Sequence, residues 1–120
     1  MSKQLDAFLK THCEFLWVLD SNKVPRRAEN FNEWSNWMMR NDRVIGYTQR
    51  SSVTVSTVFL GVAFVSPLAK EPYLFESMVF GGPDNNFVRR YRTWDEAARG
   101  HEQVCIKAKV KRRKRKQPDG

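Results

Sequence analysis

The sequence predicts an α+β fold in which a three-stranded antiparallel meander packs against a C-terminal helix, with one or two further helices near the N-terminus. Three observations lead to this prediction: a stretch dense in β-branched and aromatic residues at 53–64, a helix-capping pattern at Thr93, and a run of basic residues after position 106. We therefore expect a single compact domain over residues 1–108 and a flexible basic tail over residues 109–120.

The strands of the meander are predicted over residues 44–48, 53–62 and 73–80. The central strand lies in VTVSTVFLGVAF, which is rich in Val, Thr and Phe and contains neither proline nor an acidic residue. Its partner lies in PYLFESMVFGG, and the connection VSPLAKE is too long for a tight hairpin. Three consecutive strands of this kind favour an antiparallel meander.

The C-terminal helix is predicted over residues 94–108, after the loop GGPDNN. Thr93 and Glu96 have the spacing of a capping box, in which the threonine side chain accepts a hydrogen bond from a backbone N–H of the first turn. Gly100 lies inside the helix at a cost of about 1 kcal/mol relative to alanine, which indicates close packing against the sheet.

Two N-terminal helices are predicted from the spacing of apolar residues, one over residues 3–13 and a short one over residues 29–40. The segment EFLWVL, directly after the first of them, can also form a short strand. DSNKVPRR is expected to form a turn or loop, because Asp, Ser, Asn and Pro favour local turns. Trp34 and Trp37 lie one turn apart, a spacing more typical of core residues than of a base-stacking platform.

The net charge of +8 is unevenly distributed along the chain. Residues 1–106 contain thirteen Lys or Arg and twelve Asp or Glu, whereas residues 107–120 contain eight and one. The high isoelectric point therefore describes the C-terminal segment and not the body of the protein.

The C-terminal segment predicts contact with a polyanion, because dense Lys and Arg neutralise phosphates and release counterions without reading sequence. A solubilising charged terminus is the alternative interpretation. The candidate nucleic-acid-binding residues in this segment are its cations: Lys107, Lys109, Lys111, Arg112, Arg113, Lys114, Arg115 and Lys116.

FVRRYRTW adds three further candidates, Arg89, Arg90 and Arg92, which alternate with aromatic residues as in single-strand binding surfaces. In the alternative interpretation, the aromatic residues anchor the loop and the helix to the core, and the arginines are solvated or paired with acids. Glu76 stands inside an apolar strand and needs a partner, which Arg43, Arg50 or Arg90 can supply. A salt bridge explains this carboxylate better than catalysis does, because no second carboxylate, base or nucleophile accompanies it.

Neither a metal site, a cofactor nor an enzymatic activity is predicted. The candidate metal ligands are His12, Cys13, His101 and Cys105. His101 and Cys105 share a helical face, but His12 and Cys13 are adjacent and point apart, so packed thiols and a histidine at the core edge are the simpler interpretation. We expect a cytosolic protein, since the N-terminus does not have the unbroken apolar run of a secretory signal and no segment reaches the ~20 residues that span a bilayer.

VSTVFLGV, LFESMVFGG and RYRTWDEAARGHE, taken in this order over residues 55–102, resemble a family of small uncharacterised proteins encoded by tailed bacteriophages. Many members of that family carry an Asp-His pair where this chain has Ala63 and Phe64, and the basic tail is not a general feature of it. The resemblance implies a phage origin, a small accessory gene and the cytoplasm of an infected bacterium; it implies no activity.

Two functions follow as expectations. The first is a non-enzymatic phage accessory protein that binds DNA, RNA or a host nucleoprotein through residues 107–116, helped by the three arginines. The second is an inhibitor for host takeover or anti-defence, which binds a host protein through the folded domain while the tail steers it toward an acidic partner.

Overall fold

A computed structural model describes residues 15–63 and 72–109 as an α+β structure with two sheets and two helices. The elements, in chain order, are β1 (Trp17–Leu19), β2 (Pro25–Arg27), α1 (Phe31–Arg40), β3 (Val44–Arg50), β4 (Val53–Phe59), β5 (Phe75–Phe80), β6 (Val88–Tyr91) and α2 (Trp94–Lys107). β1 and β2 form a two-stranded sheet, and β3 to β6 form a four-stranded antiparallel sheet in the order of the chain.

The sheet has four strands, so the predicted three-stranded meander is wrong in its strand number. The three expected strands are present, and the additional strand is β6, which pairs with β5 so that Glu76 lies opposite Arg90. The sequence of β6 is VRRY, which does not show the alternation of a half-buried strand. An edge strand with one neighbour can carry charged side chains on both faces, and such strands are hard to recognise from sequence.

Two tight connections fix the register of this sheet. β3 and β4 are joined through Ser51 and Ser52, and Ser51 has a φ of 54°. The loop after β5 begins with Gly81, whose φ is 88°. A Cβ at Gly81 would overlap the carbonyl oxygen of Ser52, so this close approach of two backbones requires glycine.

α2 covers one side of the four-stranded sheet and forms the main core with it. Thr93 caps the helix as predicted, because its Oγ1 accepts a hydrogen bond from the backbone N–H of Glu96 at 3.1 Å. The predicted close packing at Gly100 is also confirmed, since a Cβ at this position would overlap the ring of Tyr91. The buried side chains between the helix and the sheet include Val55, Phe59, Phe75, Val79, Tyr91, Ala97 and Val104.

The N-terminal part of the described chain is a β-hairpin and a helix. EFLWVL forms the strand β1, which was one of its two predicted conformations, and the end of DSNKVPRR forms β2 instead of remaining a loop. α1 confirms the helix predicted over residues 29–40, and it begins at an Asn30 cap. The helix predicted over residues 3–13 lies outside the described residues.

α1 packs against the hairpin and the end of β4 through its tryptophans. Trp34 Nε1 donates to the carbonyl oxygen of Gly61 at 2.9 Å, and the rings of Trp37 and Phe59 meet edge to face at 5.5 Å between centroids. Both tryptophans therefore serve packing, as their spacing predicted. No helix in the described ranges is long and apolar enough to cross a membrane.

Candidate nucleic-acid interface

The basic segment begins on the last turn of α2, so its first cation is held by a regular element. The helix ends at Lys107, and the backbone N–H of Ala108 donates to the carbonyl of Val104 at 2.9 Å. Lys109 follows with a φ of 60°, the left-handed conformation in which helices commonly end. The remaining cations of this segment, residues 111–116, lie outside the described residues, and their role stays a prediction.

Lys107 lies beside the loop that leads into β6. Its Nζ is 3.7 Å from Asp84 Oδ1 and 4.9 Å from the centroid of the Phe87 ring. Both charged side chains are partly exposed, and exposed ion pairs contribute only about 0–1 kcal/mol. The pair therefore adds little to the stability of the fold.

Arg89 lies on the side of the sheet that α2 covers. Its Nη1 donates to Gln103 Oε1 at 2.8 Å, and its guanidinium carbon lies 5.5 Å from the centroid of the Tyr91 ring. Gln103 and Lys107 are four residues apart on α2, so they project from the same face of the helix. The structure thus brings Arg89 and Lys107 together along the boundary between β6 and the end of α2.

The other two candidate arginines lie elsewhere around β6. Arg90 alternates with Arg89 and projects from the opposite side of the sheet, where its Nε donates to Glu76 Oε2 at 2.9 Å. The salt bridge predicted for Glu76 is therefore confirmed. The guanidinium carbon of Arg92 lies 4.4 Å from the centroid of the Tyr73 ring, just beyond the strand. The three arginines surround the edge of the sheet and do not converge on one point.

The aromatic residues that alternate with these arginines anchor the chain to its core. Tyr91 is buried, and its hydroxyl lies 2.9 Å from Ser77 Oγ. Trp94 meets Phe75 edge to face at 6.3 Å between centroids, and Phe87 packs against the cluster beneath the end of α2. These rings are not arranged as a base-stacking platform, so the alternative interpretation of FVRRYRTW is confirmed for its aromatic residues.

A purely structural role also explains charge on β6. It is an edge strand, and Val88, Arg89 and Arg90 are all exposed. Charged side chains on an edge prevent other strands from pairing with it. Protection of the sheet edge is therefore sufficient to explain the arginines of β6.

The second side of the four-stranded sheet faces away from α2, and we call this surface the open face. Side chains alternate between the two sides of each strand, so the cross-strand register assigns its members. The apolar members are Val44, Tyr47, Val58, Met78, Phe80 and Val88. The polar members are Gln49, Thr54, Ser56 and the pair Glu76–Arg90. The side chains of Tyr47 and Phe80 are 62% and 45% exposed.

The open face was not predicted as a functional surface, although part of its signal is in the sequence. The alternation in VTVSTVF separates Thr54 and Ser56 from the apolar residues of the same strand. The alternation alone does not define the whole surface, because Val88 and Arg90 belong to it only through the fourth strand, β6, which was not predicted.

The candidate metal ligands His101 and Cys105 belong to a buried hydrogen-bonded cluster. His101 Nδ1 lies 2.7 Å from Thr57 Oγ1, and its Nε2 lies 2.9 Å from Thr48 Oγ1 and 3.6 Å from Cys105 Sγ. Thr57 Oγ1 in turn bonds to Ser77 Oγ at 2.5 Å. This cluster joins α2 to the sheet and is closed to a substrate, because its central residues are fully buried.

A metal site is not present among residues 15–63 and 72–109, where no three His, Cys, Asp or Glu side chains are grouped to hold an ion. His12 and Cys13 lie outside those ranges. No protein-family model, no curated protein and no solved structure matches the chain. The functional argument therefore depends on the chemistry of its surfaces.

Proposed function

We propose that the chain is a non-enzymatic accessory protein that binds nucleic acid, or a nucleoprotein machine of its host, through the basic segment at residues 107–116. The observation that carries this proposal is the density of charge, since eight of these ten residues are Lys or Arg and none is acidic. The bacteriophage resemblance of residues 55–102 supports a bacterial host and its cytoplasm as the setting.

The physical basis of this binding is counterion release. If the six cations of residues 111–116 each neutralise one phosphate of a single strand, log K falls with log salt concentration with a slope of about −4. Affinity would then fall by about 300-fold between 50 and 200 mM salt. Lys107 and Arg89 add a fixed basic border at the point from which the segment leaves α2.

The test is a pair of variants compared with the full chain. The first is truncated after Lys109, which keeps the buried Ala108 and the end of α2. The second keeps the full length and replaces residues 111–116 with glutamine. Affinities for labelled single-stranded DNA, single-stranded RNA and duplex DNA are measured by fluorescence anisotropy over a salt series. We expect both variants to lose most of their affinity and most of the salt slope; an unchanged affinity and slope would refute the proposal.

A second candidate function is inhibition of a host protein through the folded domain. The exposed apolar side chains of the open face favour it, because contiguous exposed apolar surface marks interaction sites. The test is a pulldown from a bacterial lysate with two baits. One bait is the chain truncated after Lys109, and the other is the same truncated chain with the open-face substitution Tyr47→Ala. A host partner retained by the truncated chain and lost with Tyr47→Ala would favour this candidate over the first.

A further inference from the structure

We propose that the open face is a base-stacking platform for single-stranded nucleic acid, with Tyr47 and Phe80 as the rings on which bases stack. This inference rests on the proposed function for its phosphate contacts and specifies the class of nucleic acid. Aromatic side chains on an exposed sheet are a general means of holding unpaired bases, because every base has a π-face.

The geometry of the two rings suits an unstacked strand. Tyr47 on β3 and Phe80 on β5 are separated by two strand spacings and two residues along the strand, a distance of about 12 Å. Neighbouring bases within a stacked strand are about 3.4 Å apart, so backbone positions about 12 Å apart place the two rings against bases that are not adjacent. They suit two bases of an extended single strand with at least one nucleotide between them.

The neighbours of both rings leave room for a base. In the register, Ser56 stands opposite Tyr47, and Thr54 stands opposite Phe80. Both are small, and their hydroxyls can donate to or accept from the edge of a base. Gln49, opposite Thr54 on β3, adds an amide with both donor and acceptor atoms.

The open face is electrostatically neutral, because its single cation and single anion are paired, so it does not repel a polyanion. Its one acidic side chain, Glu76, is bound by Arg90 at 2.9 Å, so the face presents no unpaired carboxylate to a phosphate. The Arg90 side chain is 60% exposed and borders the face along β6. Five of the eleven members of the face are polar or charged, so groups that can hydrogen-bond the edges of bases lie beside its apolar and aromatic side chains.

The position of the basic segment allows both surfaces to hold the same strand. Ala108 packs with Val55 and Val79, which are the strand neighbours of Thr54 and Phe80. The chain therefore leaves α2 at the end of the sheet where Phe80 lies. The remaining cations of the segment lie within the seven residues after Lys109, which extend to at most about 25 Å. A four-stranded sheet is only about 15 Å wide between its outer strands, so the length suffices to reach a strand on the open face.

The experiment uses the full chain and four single substitutions. Tyr47→Ala and Phe80→Ala remove the two rings, and Tyr47→Phe keeps the ring while it removes the hydroxyl. Ile106→Ala is the matched control, because it removes an apolar side chain that is 70% exposed on α2. The probes are three fluorescein-labelled nucleic acids: a 15-mer of dT, a 15-mer of U and a 15-base-pair DNA duplex. The first two compare single-stranded DNA with single-stranded RNA, and the duplex compares double-stranded with single-stranded DNA. Thermal unfolding of each variant confirms that it is folded.

We expect each ring-to-alanine change to weaken binding of both single strands by about 5- to 150-fold, the usual range for loss of one base–aromatic stack. The salt slope and the duplex affinity should stay unchanged, because the cations remain. Tyr47→Phe and Ile106→Ala should bind within about twofold of the natural sequence.

The outcomes separate this inference from the function on which it rests. If neutralising residues 111–116 abolishes binding but both ring variants bind normally, the platform is refuted and the proposed function stands. If the truncated chain retains ring-dependent binding, the platform stands and the segment is not the main site. If the full chain binds none of the probes, both are refuted. Loss of a protein partner with Tyr47→Ala, without any change in nucleic-acid affinity, would make the open face a protein interface and overturn the platform.

Discussion

Replacing Thr57 with valine tests whether the buried hydroxyl cluster holds α2 on the sheet. Thr57 is fully buried, and its Oγ1 lies 2.7 Å from His101 Nδ1 and 2.5 Å from Ser77 Oγ. Valine has nearly the same shape as threonine, so the substitution removes the hydroxyl without opening a cavity. The measured effect then reports the hydrogen bonds and not the packing.

The expected loss of stability follows from the two hydrogen-bond partners of Thr57, which are Ser77 and His101. A buried polar group that loses a hydrogen bond costs about 1–3 kcal/mol. Ser77 keeps its contact with the Tyr91 hydroxyl at 2.9 Å, so its loss falls at the low end of this range. His101 loses a partner on a ring that is only 4% exposed. An added buried methyl group offsets about 0.8 kcal/mol, which leaves a net destabilisation of about 2–3 kcal/mol.

The assay is urea unfolding followed by circular dichroism and tryptophan fluorescence. Thr54→Val is the matched control, because it makes the same change on the same strand but on the open face. We expect it to alter the free energy of unfolding by no more than about 0.5 kcal/mol. Equal effects of the two substitutions, or a stabilising Thr57→Val, would show that the cluster contributes nothing beyond packing.

Three further predictions concern α2 and α1. Gly100→Ala should destabilise the fold by about 1–2 kcal/mol in urea unfolding, because overlap with the Tyr91 ring outweighs the higher helix propensity of alanine; a stabilised variant would contradict the close packing. Thr93→Ala should cost about 1 kcal/mol in the same assay through loss of the cap on α2, and an unchanged midpoint would mean that the cap is not needed. The bond from Arg26 lowers the pKa of Glu33 to about 2. Because the folded pKa lies below the ordinary value of 4.5, the charged carboxylate stabilises the fold above that pH and loses its effect as pH falls toward 2. Glu33→Gln should therefore lower the free energy of unfolding by at most about 1 kcal/mol at neutral pH, because the ion pair is partly exposed. Near pH 2 the variant and the natural sequence should unfold with the same free energy. A loss of stability that is the same at every pH would contradict this account.

Elements with strong local signals were predictable from the sequence. α2 carries its own start signal in Thr93 and Glu96, and the three expected strands are rich in β-branched and aromatic residues. The bounds of β4 differed from the prediction, because the strand ends at Phe59 and Gly61 adopts a φ of 76° against the α1 side chain of Met38. That departure depends on a contact between elements that are distant in sequence.

Short strands and surfaces were not predictable, because tertiary pairing decides them. β6 and β2 contain three to four residues and carry arginines, so their conformation depends on the neighbouring strand and not on local propensity. The dispersed positions of Arg89, Arg90 and Arg92 follow from β6, since a strand sends adjacent side chains to opposite sides of a sheet. In a loop, adjacent arginines are not required to project from opposite sides.

Changing the salt concentration distinguishes binding by the basic segment from binding by the open face, because the first is electrostatic and the second depends on stacking. Contacts between cations and phosphates weaken steeply as salt rises, whereas stacking on Tyr47 and Phe80 is nearly independent of salt. The share of the total binding free energy that comes from the open face should therefore rise with salt concentration, because the contribution of residues 107–116 falls. If both surfaces hold one strand, the loss caused by Phe80→Ala stays constant in fold-change across the salt series while the absolute affinity falls. A loss that disappears at low salt would instead mean that the basic segment binds nucleic acid alone and that the strand meets the open face only when the stronger contact is weakened.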